Sequence, residues 1–111
     1  MSDDKTHRDD TTHRDDTKLR NVESFYPLSP MQEGMLFHTV VDTGSGIYVE
    51  LFNVRLHGNV DTKVFEQAWQ KSVDRHPILR TSFVWEGVKE PIQVVHQQVK
   101  LPFAFEDWRG L

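Results

Sequence analysis

Arg75-His76-Pro77-Ile78-Leu79-Arg80-Thr81-Ser82-Phe83 reads as the end of a helix turned directly into a strand. Pro77 disfavours helical geometry at the residue before it, so it stops a helix just after His76. Arg75 belongs to the helix end and Arg80 opens the strand, so two arginines bracket the corner. On physical grounds alone both read as surface cations near a helix C-terminus, where the macrodipole favours positive charge.

Upstream of this corner, Asp61 is placed to cap a helix. Phe65, Ala68, Trp69 and Val73 fall on one face of it, and Glu66, Gln67, Gln70, Lys71 and Asp74 on the other. Downstream, Thr81–Trp85 and Ile92–His96 flank a connection containing Gly87 and Pro91, the pattern of a hairpin. Val99, Leu101, Phe103 and Phe105 then alternate with Lys100, Pro102, Ala104 and Glu106, predicting a third strand, with Pro102 at an edge or bulge.

Further upstream, residues 47–57 read as a strand, because Phe52, Val54 and Leu56 alternate with Asn53, Arg55 and His57. Before it, Ser29-Pro30-Met31-Gln32 is a helix start: Ser29 can cap, Pro30 suits the first position and Gln32 completes a capping box. That helix is expected to end near Val41, ahead of Asp42-Thr43-Gly44-Ser45-Gly46. Gly34 in its middle suggests close backbone packing. The predicted order is α-β-α-β-β-β, an α+β fold, with Met35, Leu36, Phe65, Trp69, Phe83 and Val94 sharing a core.

Composition divides the chain. In residues 1–20 only Met1 and Leu19 are hydrophobic, and 11 residues are Asp, Lys or Arg. Thr6-His7-Arg8-Asp9-Asp10-Thr11 repeats at once as Thr12-His13-Arg14-Asp15-Asp16-Thr17. With so little to bury, residues 1–22 are expected to form a disordered polar leader. His7, His13 and the Asp pairs have metal-ligating chemistry but no rigid frame to hold one geometry, so no metal site is assigned. The net charge of −4 argues against nucleic acid as a partner. No apolar run exceeds three residues, which argues against a membrane span, and the polar start offers no secretory signal. The chain has no cysteine, which excludes disulfides and thiolate chemistry and fits the cytoplasm.

Local motifs point to no enzyme. The six histidines, His7, His13, His38, His57, His76 and His96, are isolated, and none belongs to a metal-binding pair. There is no Gly-x-Ser-x-Gly elbow and no Gly-rich phosphate loop. No local signal supports a Ser/His/Asp set.

Two stretches nonetheless carry a family resemblance. Tyr26-Pro27-Leu28-Ser29-Pro30-Met31-Gln32-Glu33-Gly34-Met35-Leu36-Phe37-His38 and the Arg75–Phe83 corner resemble the first two core motifs of condensation domains from nonribosomal peptide synthetases. The second fits the pattern R-H-x-x-L-R-T-x-F at every fixed position. Leu56-His57-Gly58-Asn59-Val60-Asp61, Phe65, Ala68-Trp69-Gln70 and Asp107-Trp108-Arg109 also resemble the family. Residues 23–111 are therefore read as the N-terminal part of such a domain.

The resemblance implies a partial chloramphenicol-acetyltransferase-like lobe. It implies amide formation between an acyl or peptidyl thioester and an aminoacyl thioester, with both substrates on phosphopantetheine arms of carrier proteins and no cofactor bound directly. The expected partners are carrier protein domains and the rest of the synthetase. The family's His-His-x-x-x-Asp-Gly motif is absent from these 111 residues, so no catalytic residue is assigned. The resemblance gives Arg75 the role of pairing with the Asp of that motif and makes Arg80 a neighbouring support. The chain by itself is expected to be inactive. Two other readings stand beside this one: a non-catalytic docking module, and a coenzyme-A-dependent acyltransferase of the same superfamily.

Overall fold

The computed structural model describes residues 20–111. The expected leader and its tandem repeat lie almost wholly outside the described residues, whereas Asn21 and Val22 already hydrogen-bond or pair within the fold. The described residues form two helices and one three-stranded antiparallel sheet. The elements are β1 (Val22–Pro27), α1 (Pro30–Val41), α2 (Thr62–Arg75), a 3-10 turn (Pro77–Arg80), β2 (Thr81–Val84) and β3 (Ile92–His96).

Both helices begin as their capping residues dictate. The Gln32 amide donates to Ser29 Oγ at 3.2 Å and the Ser29 amide donates to Gln32 Oε1 at 2.8 Å, closing the capping box. Asp61 Oδ1 accepts from the amides of Lys63 and Val64 at 3.0 and 3.2 Å. The hairpin also forms, with Thr81 opposite Val95 and Val84 opposite Ile92. Gly87, at φ 68°, supplies the left-handed backbone its connection requires.

The order departs from α-β-α-β-β-β in four places. First, a strand precedes the first helix: β1 pairs with β3, so β3 is central and the sheet order is β1-β3-β2. Val22-Glu23-Ser24-Phe25-Tyr26-Pro27 has no clean alternation, and the ladder with β3, not periodicity, makes it a strand. Second, a 3-10 turn separates the α2 end from β2, so Arg80 lies in that turn and does not open the strand. Third, residues 47–57 form no strand, because no other described segment lies alongside to pair with them. Tyr48 at φ 66° also breaks an extended backbone there. Fourth, residues 99–105 form no strand.

The fourth departure has a side-chain cause. Gln70 Nε2 donates to the Val99 carbonyl at 2.8 Å, and the Leu101 amide donates to Gln70 Oε1 at 2.8 Å. One helix-borne amide thus takes the donor and the acceptor that a neighbouring strand would use. Pro102 then has no amide hydrogen to continue a ladder. Asn21 does the same one step earlier, donating from Nδ2 to the Gln98 carbonyl and accepting from the Gln98 amide, both at 3.0 Å.

The core is smaller than expected. Leu28, Val73 and Val95 are its buried hydrophobic residues among those described. Leu36, Phe65 and Val94 are half-buried, but Met35, Trp69 and Phe83 are exposed, Trp69 to 50%. The helix faces are apolar, as their periodicity predicts, but they are only partly covered among the described residues: Val73 of α2 is buried and Phe65 packs on Phe103, whereas no residue of α1 is buried. Gly34 is likewise not at a close approach, since a Cβ there would meet open space. No helix of the described residues is long and apolar enough to cross a membrane.

Candidate functional site

The two arginines of the corner have opposite environments. Arg80 is buried, at 6% exposure, whereas Arg75, at the end of α2, is exposed. Arg80, the expected neighbouring support, is the side chain on which the elements converge. The local cause lies in Pro77. The carbonyl of Val73 would normally accept from the amide four residues on, but that residue is Pro77 and has no hydrogen. Arg80 Nε supplies the missing donor at 3.1 Å.

The rest of the guanidinium faces the sheet. Nη1 donates to Glu23 Oε2 at 2.7 Å, to the His96 carbonyl, and to the Gln97 carbonyl at 3.3 Å. One side chain therefore ties the end of α2 to β1 and to the end of β3. Glu23 reaches it because the β1–β3 register shifts between Val22 and Ser24, which makes Glu23 the extra residue of a bulge. Bulges characteristically redirect a side chain in this way. The described side chains leave no buried polar atom without a partner.

Arg75 makes no ion pair and no side-chain hydrogen bond among the described residues, and its charge is open to solvent beside the α2 C-terminus. His76 Nδ1 lies 2.9 Å from the Ser72 carbonyl and serves the helix end. His96 Nε2 lies 2.7 Å from Ser82 Oγ across the β2–β3 hairpin. No carboxylate orients His96 among the described residues, so the pair is a cross-strand contact and not an assembled triad. Among the described residues no three His, Asp or Glu side chains gather as metal ligands would. His7 and His13 lie outside the described residues.

A second buried polar node joins the first motif to the sheet. Gln93, on β3, is 7% exposed. Its Nε2 donates to the Pro27 carbonyl and to Gln32 Oε1, both at 3.1 Å, and Gln32 Nε2 lies 3.3 Å from Gln93 Oε1. Gln32 thus caps α1 and binds the sheet with the same amide. Gln93 gives no sequence signal beyond a polar residue in an alternating strand. Glu23 gives none, because the bulge that directs it is a pairing feature.

At the chain's other end, Asp107-Trp108-Arg109 forms a local turn. Arg109 Nε and Nη2 grip the Asp107 carboxylate at 2.9 and 2.6 Å, and Trp108 Nε1 donates to Glu106 at 3.0 Å. The guanidinium and the Arg109 amide hold the Asp107 carboxyl below its ordinary range.

The sheet carries the second motif into the Arg80 node and the first into the Gln93 node, which is how two separated motifs come to share one small fold. The family model described as Condensation domain matches residues 22–111. One linear gramicidin synthase protein of Brevibacillus parabrevis is 53% identical over 92 residues, which is 83% of this chain and 2% of that protein. Tyrocidine synthase 3 of the same organism is 39% identical over 90 residues, 81% of this chain and 1% of that protein. Bacitracin synthase 1 of Bacillus licheniformis is 40% identical over 89 residues, 80% of this chain and 2% of that protein. The chain spans only 1–2% of the length of these relatives. It belongs to the condensation-domain family of nonribosomal peptide synthetases.

Proposed function

We propose that this chain supplies the N-terminal part of a condensation domain with a chloramphenicol-acetyltransferase-like architecture, acting within a cytoplasmic synthetase. The observation that carries this reading is the family match from residue 22 to residue 111, with both core motifs seated on one sheet. In the complete domain, the amine of an aminoacyl thioester attacks the carbonyl of an acyl or peptidyl thioester. A C–N bond forms, the C–S bond breaks, and the amine's proton leaves as the thiol is released. Both thioesters arrive on phosphopantetheine arms of carrier proteins, and this segment itself binds no cofactor.

Within that reaction the segment is scaffold. Positioning two thioester arms end to end can supply several kcal/mol of the barrier, up to about 7–11 in ideal cases. These 111 residues contain neither adjacent histidines nor a His-His-x-x-x-Asp-Gly sequence. Arg75 is the residue proposed to meet the Asp of that motif; its exposed charge at the α2 end supports this. Arg80 supports the same corner from inside, by fixing the α2 end on the sheet.

The test is a single-turnover assay with loaded donor and acceptor carriers. Residues 22–111 would replace the matching stretch of the linear gramicidin synthase protein to which they are 53% identical. The chimera is expected to form the amide, and Arg75→Ala in it to slow amide formation. Residues 1–111 alone are expected to give no product above a no-enzyme control. A folded but inert chimera would refute the family role, and product from residues 1–111 alone would refute the scaffold role.

A further inference from the structure

The two polar nodes meet on β1. Glu23, near its start, accepts from Arg80 Nη1 at 2.7 Å, and Pro27, its last residue, offers its carbonyl to Gln93 Nε2 at 3.1 Å. Glu23 lies outside both motifs and belongs to the bulge of the β1–β3 ladder. Arg80 Nη1 has two hydrogens for three acceptors: the Glu23 carboxylate and the carbonyls of His96 and Gln97. Both carbonyls lie at one strand end. Glu23 is the contact from a second strand, and of the three it is the one that carries a charge opposite to the guanidinium, where hydrogen bonds are shorter and stronger. Through Nε the same guanidinium holds the Val73 carbonyl at 3.1 Å. Val73 is buried and sits two residues before Arg75, in the last turn of α2.

Resting on the functional reading above, we infer that Glu23 is a positioning residue for amide formation: from the β1 bulge it orients the Arg80 guanidinium, and through it the last turn of α2 that presents Arg75. Glu23 supplies direction more than stability. Its side chain is 48% exposed, and an ion pair open to water adds little to folding. Without Glu23 the guanidinium is held to the sheet only at the end of β3, and the last turn of α2 loses its second point of reference. Arg75 follows because it shares that turn. Such errors are costly where two reactants must be positioned: a displacement of about 1 Å can slow a reaction about 100-fold.

Two measurements test this. In the full chain, Glu23→Ala is expected to speed amide exchange at His76, whose amide donates to the Ser72 carbonyl at the α2 end, by at least about threefold while Ile92–His96 keeps its protection. In the gramicidin synthase chimera, single-turnover rates at saturating carriers are compared for the parent, Glu23→Ala, Arg75→Ala and the double variant. Glu23→Ala is expected to slow amide formation about tenfold. The double variant is expected to match Arg75→Ala within about twofold, because both changes act through one side chain. A merely structural role for Glu23 would instead make the two losses multiply. Multiplied losses, an unchanged rate in Glu23→Ala, unchanged exchange at His76, or an equal rise in exchange across Ile92–His96 would each overturn the inference. If Glu23→Ala does not fold, Glu23→Asp, which keeps the charge and shortens the reach, takes its place under the same criteria. A parent chimera that is inert, or indifferent to Arg75→Ala, refutes the functional reading itself and the inference with it.

Discussion

Arg80 and Glu23 are 57 residues apart in sequence and 2.7 Å apart in space. Their pairing depends on two local irregularities, a 3-10 turn that follows His76 and a bulge at Glu23. Neither arginine nor carboxylate would reach the other from a regular helix end or a regular strand. The charge pair is half open on its Glu23 side, so most of the cost of losing Arg80 lies in the carbonyls it serves.

Arg80→Ala leaves the carbonyls of Val73, His96 and Gln97 without their donor. An unsatisfied buried polar group costs about 1–3 kcal/mol, so a loss of about 3 kcal/mol is expected, against less than about 0.5 kcal/mol for Arg75→Ala at an exposed site. Amide exchange over Ile92–His96 measures both. Equal losses for the two variants would refute the assignment of Arg80 as the buried tie.

Gln70→Ala is expected to release the Val99–Leu101 segment from α2. The Leu101 amide then exchanges faster by roughly tenfold, corresponding to about 1.4 kcal/mol for the lost bond. Phe103, which packs 6.2 Å from Phe65 between ring centroids, becomes more mobile with it. Exchange at Leu101 that does not change would mean that the segment is held by other contacts.

Phe65→Ala should destabilise the chain more than Trp69→Ala. Phe65 is half-buried and touches both Trp69 and Phe103, whereas Trp69 is half in water. At about 25 cal/mol per Å² of apolar surface, the Trp69 truncation costs about 1–2 kcal/mol, below the about 3–5 kcal/mol of a fully buried aromatic. Thermal midpoints of the two variants give the order directly.

The Asp107 carboxyl titrates below the ordinary carboxylate value of about 3.9, because Arg109 grips it, and Asp107 in turn raises the Arg109 guanidinium. A depressed folded value contributes stability above the unfolded pKa and loses it as pH falls through the folded one. The 107–109 turn should therefore hold at neutral pH and open in acid. A carbon-detected NMR titration is expected to show the Asp107 midpoint rising toward the ordinary value in Arg109→Gln, which removes the guanidinium and keeps the backbone amide at residue 109. A midpoint that is the same in both proteins would rule out the pairing in solution.

The chain is expected to self-associate as its concentration rises. Leu51 and Phe52 are 86% and 80% exposed, and Met31, Phe37, Val49, Val54 and Ile78 are also exposed, more apolar surface than a monomeric protein normally presents. Sedimentation velocity across a hundredfold concentration range tests this. A single monomer boundary throughout would show that the apolar surface is covered in solution.

Sequence alone determined whatever is written within a few residues. Ser29, Pro30 and Gln32 start α1, Asp61 starts α2, Pro77 stops it, and Gly87 with Pro91 marks the hairpin, because caps, missing amide hydrogens and left-handed turns act locally. The two motifs likewise identified the family without coordinates. Tertiary structure decided what depends on a partner far along the chain. Val22–Pro27 became a strand only because β3 lay beside it. Residues 47–57 have strand alternation and no partner among the described residues, so they form none, and the Gln70 and Asn21 amides occupied the groups that residues 98–101 would have offered to a neighbour. Which of two similar arginines is buried was also a tertiary outcome. Arg75 and Arg80 differ little in composition or local context, and only the unsatisfied Val73 carbonyl and the redirected Glu23 draw one of them inside.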